Sequence, residues 1–194
     1  MAKLYFYYSA MNAGKTTVLL QSAYNYEERG MRTLLFTPQI DTRKTRKGTI
    51  SSRIGLESEA ITFDSKFDFY NFVTKSHQDA HLHCILIDEA QFLTETQVIQ
   101  LSDIADLINI PVLTYGIRTD FKGELFPGSQ YLLALAEELI ELKTICFCGR
   151  KATMNMRIDS SGQKITKGSQ IEIGGNDRYI AVCHRHFKEG ISHL

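Results

Sequence analysis

Apolar and polar residues alternate along the first two thirds of the chain in blocks that predict strands followed by helices. Apolar blocks begin near residues 4, 32, 81, 111 and 139. Between them, leucines and aromatic residues recur every three or four positions, as in amphipathic helices. The pattern predicts strands over 4–8, 32–37, 81–88, 111–116 and 139–145, and helices over 15–29, 66–76, 94–107 and 129–138. Strands that alternate with helices predict an α/β fold with a mostly parallel sheet covered by helices on both faces.

Local signals mark the ends of two of these helices. Gly30 stands where a left-handed residue ends a helix, and Thr94 with Gln97 three positions later is typical of a capping box. Both signals agree with the helical spacing around them.

The pattern changes after residue 145. Short strand-like pieces over 153–158 and 170–173 are joined by turn residues such as those at 159–162. Such a segment is too small to fold on its own apolar core, and a bound metal would supply the missing stability. We expect residues 1–145 to form a nucleotide-binding domain and residues 146–194 to form a small metal-binding domain.

Size and charge restrict the kinds of partner. The chain has 194 residues, 43% of them hydrophobic, and its 22 basic and 22 acidic residues cancel. A net charge of zero argues against nonspecific binding of nucleic acid or of an anionic membrane surface. The sequence has no apolar run of about 20 residues and no secretory signal. We therefore expect a cytoplasmic protein with no nucleic acid or membrane partner.

The segment after the first apolar block has the pattern of a phosphate-binding loop. In such loops the backbone N–H groups surround the phosphates, while a lysine and a hydroxyl residue serve the terminal phosphates and magnesium. Ser9 stands where the pattern usually has its first glycine, a residue favoured at tight turns against a ligand. The segment, called the phosphate loop below, reads Ser9, Ala10, Met11, Asn12, Ala13, Gly14, Lys15 and Thr16.

The apolar run 84–87 ends in two carboxylates, Asp88 and Glu89, called the acidic pair below. An acid at the carboxyl end of a buried parallel strand can hold magnesium beside phosphates, here Asp88 together with Thr16. Glu89 can then accept a proton from the group that attacks the terminal phosphate. Attack by water would make the protein an ATPase, and attack by a bound alcohol would make it a kinase. The alternative is that Glu89 only caps the following turn.

Aromatic residues and arginines supply further candidates. Phe121 and Phe126 lie in a glycine-rich segment, and with Phe92 they could form the walls of a pocket for a flat nucleobase; the alternative is that each is an ordinary core residue. The basic segment 41–53 is either a solvated loop or a flap over the phosphates. Arg53 is its best candidate for offsetting charge on a transferred phosphoryl group.

The cysteines divide into two groups. Cys84 begins an apolar run and is interpreted as a buried strand residue. Cys146, Cys148, Cys183 and His186 together supply three thiolates and an imidazole, a set that fills a tetrahedral zinc site and indicates a structural metal. His184 is the alternative nitrogen ligand, but it adjoins Cys183, so one ion would have to bind two neighbouring residues.

In this order along the chain, the motifs resemble those of the zinc-containing, tetrameric thymidine kinases. The resemblance rests on the phosphate loop, the run Asp88-Glu89-Ala90-Gln91-Phe92, the Phe121 segment, the two metal-ligand pairs and the run from Ile173 to Tyr179. It implies a RecA-like fold with a small zinc domain, and transfer of the terminal phosphoryl of ATP to the 5′-hydroxyl of thymidine. It also implies a homotetramer and feedback inhibition by thymidine triphosphate.

By position, the resemblance assigns roles to residues. Glu89 would be the general base, the phosphate loop with Asp88, Gln91 and Arg53 would bind ATP, and Mg²⁺ would accompany the nucleotide. A lasso loop between residues 158 and 179 would close over the nucleoside. Thymidine contacts would come from Met11, Phe92, Phe121, Phe126, Ile171, Glu172, Ile173, Gly174 and Tyr179.

Two other functions fit parts of the pattern. Asp88-Glu89-Ala90-Gln91 also resembles a helicase motif, so a nucleic-acid-stimulated ATPase is one alternative, although helicases usually need two such lobes and the chain has room for one. The other is a zinc-stabilised regulatory module that binds nucleotide without turnover.

Overall fold

The computed structural model of the chain describes residues 1–39, 48–170 and 178–193. Its helices are α1 (Lys15–Glu27), α2 (Phe69–Asp79), α3 (Glu95–Asp103), α4 (Pro127–Leu135) and α5 (His184–Glu189). Its strands are β1 (Leu4–Ser9), β2 (Thr33–Pro38), β3 (Thr49–Ser51), β4 (Glu57–Glu59), β5 (Ile61–Phe63), β6 (Cys84–Ile87), β7 (Val112–Ile117), β8 (Glu138–Glu141), β9 (Thr144–Ile145), β10 (Lys151–Ala152), β11 (Met154–Arg157) and β12 (Tyr179–Val182).

A six-stranded sheet in the order β5-β2-β6-β7-β1-β8 forms the centre of the fold. All of its strand pairs are parallel. Successive residues of a strand point to opposite faces, so the wholly buried β6 serves two cores. Ile85 and Ile87 pack on the side of α2, α3 and α4, while Cys84 and Leu86 pack on the side of α1. The predicted α/β sheet with helices on both faces is confirmed, and Cys84 is a buried strand residue as expected.

The helix signals in the sequence are present in the structure. Gly30 has a φ of 68°, and the Thr94 side chain accepts a hydrogen bond from the Gln97 backbone while the Gln97 side chain accepts one from the Thr94 backbone. The last turn of the predicted helix over 94–107 is wider than an α-helix, because residues 104–108 form a π-helical turn.

Three sequence predictions about elements were wrong. The fourth helix covers residues 127–135 instead of 129–138, because Glu138 already belongs to β8. The strand predicted over 139–145 is divided: β8 pairs with β1, whereas β9 pairs with β10. Of the basic segment 41–53, predicted as a loop, residues 41–47 lie outside the described residues. The rest contains β3, which pairs with β4 and buries Ile50 against α1.

The last part of the chain, called the C-terminal module below, comprises the described residues 144–170 and 178–193. It contains two antiparallel strand pairs, β9 with β10 and β11 with β12, followed by α5. A third apolar cluster, which includes Met154, Met156, Val182 and Phe187, lies wholly within it. The division of the chain into domains at residue 145 stays a prediction.

None of the helices in the three described ranges combines the length and the apolar character needed to cross a membrane.

Candidate active site

Three neighbouring strands of the sheet end at the same edge and carry the candidate residues. β6, β7 and β1 are adjacent in the sheet, and Ser9 at the end of β1 is in register with Ile117 at the end of β7. The phosphate loop follows β1, the acidic pair follows β6, and the segment containing Phe121 follows β7. Ligands of parallel α/β sheets bind beyond the carboxyl ends of the strands, and this edge therefore defines the candidate site.

The phosphate loop turns from β1 into α1 through two residues with left-handed backbone. Asn12 has a φ of 62° and Gly14 a φ of 78°. Gly14 is the N-cap of α1, and its carbonyl accepts the hydrogen bond of the Val18 N–H. The N–H groups in the first turn of a helix attract anions, so this turn suits a phosphate. Thr16 lies in that turn.

Ser9 bonds within the loop through its hydroxyl group. It is the last residue of β1, so its backbone is extended and does not need the conformational freedom of glycine. The Ser9 Oγ donates to the Ala10 carbonyl at 2.7 Å and accepts from the Lys15 Nζ at 3.0 Å. Lys15 also donates to the Ala10 carbonyl at 3.0 Å. Serine at this position therefore replaces the glycine without backbone strain and holds the lysine.

The acidic pair lies at the end of β6. Asp88 is buried, and its Oδ1 accepts the Glu89 N–H at 3.0 Å. Glu89 has φ 50° and ψ 43°, a left-handed conformation that is uncommon for residues other than glycine. Such outliers cluster at functional sites, where the surrounding structure holds them in place. Glu89 is half-buried and begins the short helix at Ala90–Phe92.

Gln91 connects the acidic pair to the end of β7. Its Nε2 donates to the Glu89 Oε2 at 2.5 Å, and its Oε1 accepts the Ile117 N–H at 3.2 Å. A Cβ at Gly116 would lie 2.9 Å from that Oε1, which explains the glycine in β7. The amide of Gln91 thus positions the Glu89 carboxylate, while its contact with ATP phosphates stays a prediction.

The predicted aromatic residues form two edge-to-face pairs. Phe92 and Phe126 have ring centroids 6.0 Å apart, and Phe121 and Tyr179 have centroids 6.4 Å apart. Phe121 and Phe126 are almost fully buried. Within the described residues, both lie outside the three apolar core clusters, and their role as pocket walls stays a prediction.

Sequence reasoning missed two polar residues of β11. Arg157 is 8% exposed, and its guanidinium carbon lies 5.4 Å from the ring centroid of Phe121 and 6.0 Å from that of Tyr179. Asn155 is 2% exposed, accepts the Met11 N–H at 2.7 Å and donates to the Thr119 carbonyl at 2.9 Å. Alternation of methionine and polar residues in 154–157 is typical of a strand with one solvated face, but here all four residues are buried.

The ligand atoms of Cys146, Cys148, Cys183 and His186 all lie within 4.8 Å of one another and could hold a metal ion. The Cys146 Sγ is 3.3 Å from the His186 Nδ1, and the sulfurs of Cys148 and Cys183 are 3.9 Å apart. His186 occupies the nitrogen position, whereas His184 is exposed. The Phe147 ring stacks on the His186 ring with an interplanar angle of 3° and fixes its orientation.

The surroundings of Cys146 favour the thiolate that a metal requires. Burial opposes ionisation, but the backbone N–H groups of Cys148 and Cys183 and the His186 side chain lower the pKa of Cys146 to about 6. For Cys148, the Arg150 N–H favours the thiolate, but burial and the neighbouring sulfurs outweigh it and raise the pKa. Close thiols therefore do not all ionise without a cation between them.

The remaining predicted residues differ in position. Arg53 is exposed and lies in the turn between β3 and β4, and its role at the phosphates stays a prediction. Met11 is half-buried in the phosphate loop. Ile171, Glu172, Ile173 and Gly174 lie outside the described residues.

The parallel sheet, the phosphate loop and the acidic pair define an α/β protein of the P-loop class with an appended metal-binding cluster. Comparison with known proteins is more specific. The family model for thymidine kinase matches residues 2–187. The chain belongs to the thymidine kinase family.

Curated relatives match over nearly the whole chain. The chain is 64% identical to a thymidine kinase of Legionella pneumophila (strain Lens), with 98% of this chain and 91% of the relative covered. It is 59% identical to a thymidine kinase of Yersinia pseudotuberculosis, with 98% of this chain and 97% of the relative covered. It is 56% identical to one of Escherichia coli O157:H7, with 98% of this chain and 93% of the relative covered. Against a solved structure of Bacteroides Pif1 bound to single-stranded DNA, the TM-score is 0.36 at 12% identity, over 73% of this chain and 38% of that one.

Proposed function

We propose that the protein transfers the γ-phosphoryl group of ATP to the 5′-hydroxyl of thymidine. The observation that carries this proposal is the position of the acidic pair, at the end of β6 and on the same sheet edge as the phosphate loop. A phosphate loop alone fits many nucleotide-binding proteins. A second carboxylate beyond the buried Asp88 adds a group that can take a proton from an alcohol. Membership of the thymidine kinase family supports thymidine as that alcohol.

The phosphate loop binds ATP in this proposal. Its N–H groups surround the β- and γ-phosphates, and Lys15, held by Ser9 and Ala10, supplies a positive charge. Arg53 and Gln91 are further proposed ATP contacts. Thr16 and Asp88 would hold Mg²⁺, which would offset charge on the transferred phosphoryl group.

Glu89 acts as the general base. Its carboxylate is fixed by the Gln91 amide and by a left-handed backbone, so it has few conformations to lose on binding substrate. It accepts the proton of the thymidine 5′-hydroxyl as the hydroxyl oxygen attacks the γ-phosphorus. The bond from that phosphorus to the bridging oxygen of ADP breaks, and the products are thymidine monophosphate and ADP.

The nucleoside lies against the aromatic pairs in this proposal. Phe92 and Phe126 form one wall, Phe121 and Tyr179 form another, and Met11 contributes from the phosphate loop. Ile171, Glu172, Ile173 and Gly174 close over the nucleoside as part of the lasso loop. Excluding water from the γ-phosphate favours transfer to an alcohol over hydrolysis.

The metal in the C-terminal module is zinc in this proposal. A tetrahedral zinc with Zn–S bonds of about 2.3 Å separates two sulfurs by about 3.8 Å. The 3.9 Å between Cys148 and Cys183 fits that value. Three cysteines and a histidine leave no open position, so the ion would be structural and would hold β12 and α5 against the turn at 146–149.

Two further parts of the proposal, a homotetramer and feedback inhibition by thymidine triphosphate, rest on the family resemblance. Two others rest on the sequence pattern: a cytoplasmic location, and a boundary near residue 145 between the nucleotide-binding domain and the zinc-bearing domain.

The test is ADP formation by the purified protein with ATP and Mg²⁺, measured with thymidine, with other nucleosides and with single-stranded DNA or RNA. We expect ADP formation that depends on thymidine and yields one thymidine monophosphate per ADP. Stimulation by nucleic acid and not by thymidine would instead establish the ATPase alternative. ATP binding without turnover under all conditions would establish the regulatory module.

A further inference from the structure

We propose that Asn155 is a positioning residue through which the C-terminal module sets the geometry of the phosphate loop. Asn155 lies in β11 of the module, yet both ends of its side-chain amide bond to loops of the sheet edge. The inference deepens the proposed function and rests on it, because it assigns an effect on ATP use to a residue distant in sequence from the loop.

The two hydrogen bonds join three segments that are far apart in the chain. The Met11 N–H donates to the Asn155 Oδ1 at 2.7 Å, across 144 residues of sequence. The Asn155 Nδ2 donates to the Thr119 carbonyl at 2.9 Å, across 36 residues. Met11 lies inside the phosphate loop, and Thr119 lies two residues beyond β7, next to the Phe121 segment. One side chain thus holds both the ATP side and the nucleoside side of the candidate site.

Burial makes this link specific. Asn155 and Thr119 are 2% and 8% exposed, so water has little access to replace a lost bond. A buried polar group without a partner destabilises the structure, and the Met11 N–H would have to turn towards another acceptor. Turning one N–H of a phosphate-binding loop changes the direction of its neighbours, because successive peptide planes share a Cα.

The four residues of the metal cluster, Cys146, Cys148, Cys183 and His186, are connected to Asn155 through β12. Asn155 is in register with Ala181 of β12, and Cys183, one of the four cluster residues, comes directly after that strand. A bound metal that holds Cys183 therefore also holds β12, and through the strand pair it holds Asn155. This chain of contacts predicts that the metal acts on the phosphate loop as well as on the module.

Replacing Asn155 by leucine tests the link while keeping the shape of the side chain. Asn155→Leu removes both hydrogen bonds, and Met156→Leu is the matched control, because Met156 is the next residue and packs in the apolar cluster of the module. We expect Asn155→Leu to retain its metal and to lose about 10- to 100-fold in kcat/KM for ATP, the size of effect that a displacement of about 1 Å produces at an active site. Values within twofold of the control would overturn the proposal.

Hydrogen–deuterium exchange separates positioning from general destabilisation. Without nucleotide, Asn155→Leu should raise exchange about tenfold over residues 9–16 and over 117–125, while the distant helix α2 exchanges as in wild type. Asn155→Asp keeps an acceptor for the Met11 N–H but no donor for Thr119, so it should raise exchange over 117–125 alone. Equal exchange of residues 9–16 in wild type, Asn155→Leu and Met156→Leu would contradict the link.

The two experiments also separate this inference from the proposed function. If the wild-type protein forms no ADP with thymidine, the proposed function fails, and the exchange measurement still decides the role of Asn155. If Asn155→Leu does not fold, Asn155→Ala decides it, because alanine also removes both hydrogen bonds. Wild-type exchange over residues 9–16 in that variant would overturn the proposal.

Discussion

Two regions of the molecule hold their functional groups by different means. One is the C-terminal module, and the other is the region of the central sheet, residues 1–39 and 48–143, called the sheet domain below. In the sheet domain, two large apolar clusters and five parallel strand pairs fix the ends of β1, β6 and β7, and the candidate residues extend from those ends. The module has one small apolar cluster, and two of its seven buried members are cysteines of the metal cluster. Apolar burial stabilises the fold of one region and metal binding stabilises that of the other, so each fold can be disturbed separately, although Asn155 joins the module to the phosphate loop.

The largest expected effect comes from the acidic pair in the sheet domain. Glu89→Gln keeps the side-chain shape but removes the proton acceptor, and we expect kcat to fall about 10²- to 10⁴-fold, the usual contribution of a general base. ATP binding should stay near the wild-type value, because the phosphate loop is unchanged. Steady-state ADP formation and ATP titration measure the two effects.

Glu28→Gln is the matched control, since Glu28 is exposed at the end of α1. It should turn over as wild type does. Unchanged turnover in Glu89→Gln would remove Glu89 from the role of base.

The next effect is on the stability of the sheet domain. Leu86 is fully buried in β6 against α1, and Leu86→Ala should lower the free energy of unfolding by about 2–5 kcal/mol through lost burial and a cavity. The metal content should not change, because Leu86 belongs to a different apolar cluster from the three cysteine ligands. Denaturant unfolding and metal analysis of the same sample measure both.

Leu107→Ala is the control, since Leu107 is 71% exposed and should cost less than about 0.5 kcal/mol. Loss of metal from Leu86→Ala in its folded state would show that the two regions are not separately stabilised.

The rate at which a thiol reagent modifies each cysteine compares the two regions within one molecule. All four cysteines are free thiols in the structure, three of them in the metal cluster and Cys84 in β6. Burial raises the pKa of Cys84 to about 12, and the hydrogen bond with Tyr26 opposes this only weakly. Cys84 is therefore in the unreactive thiol form at pH 8. After a chelator removes the metal, a thiol reagent at pH 8 should modify three cysteines and leave Cys84 until the protein unfolds. Modification of Cys84 together with the others would mean that metal loss also opens the sheet domain.

The smallest expected effect concerns Ser9. Ser9→Ala and Ser9→Gly both remove the hydroxyl that accepts from Lys15, whose second bond, to Ala10, remains. We expect KM for ATP to change by no more than about tenfold, because one net hydrogen bond contributes about that much. The factor should be similar in the two variants. A much larger change in Ser9→Gly than in Ser9→Ala would instead assign the effect to the backbone.

The parts of the candidate site that lie close together in the chain could be predicted from the sequence. The phosphate loop, the acidic pair and the pairs Cys146–Cys148 and Cys183–His186 are contiguous motifs, so they could be located without knowing the fold. The sheet was predictable because its central strands are long apolar runs. The short β3, β4 and β5 were missed, since three residues give too little periodicity.

The parts that were missed depend on contacts between distant segments. Asn155 and Arg157 look like the polar face of a strand, and only the packing of β11 against the 119–121 segment makes them buried site residues. The end of α4 was misplaced because the apolar residues run on from α4 into β8 with little interruption. Tertiary contacts determine the structure at such positions, and the spacing of apolar and polar residues in the sequence does not reveal those contacts.

The most direct test of the account is to remove the metal and measure ADP and thymidine monophosphate formation in parallel with ATP binding. We predict that the metal-free protein still binds ATP, but more weakly, because the support of the phosphate loop through Asn155 is reduced. Thymidine monophosphate formation should fall at least about tenfold and return when zinc is restored. Undiminished phosphorylation of thymidine by protein shown to be free of metal would contradict the account.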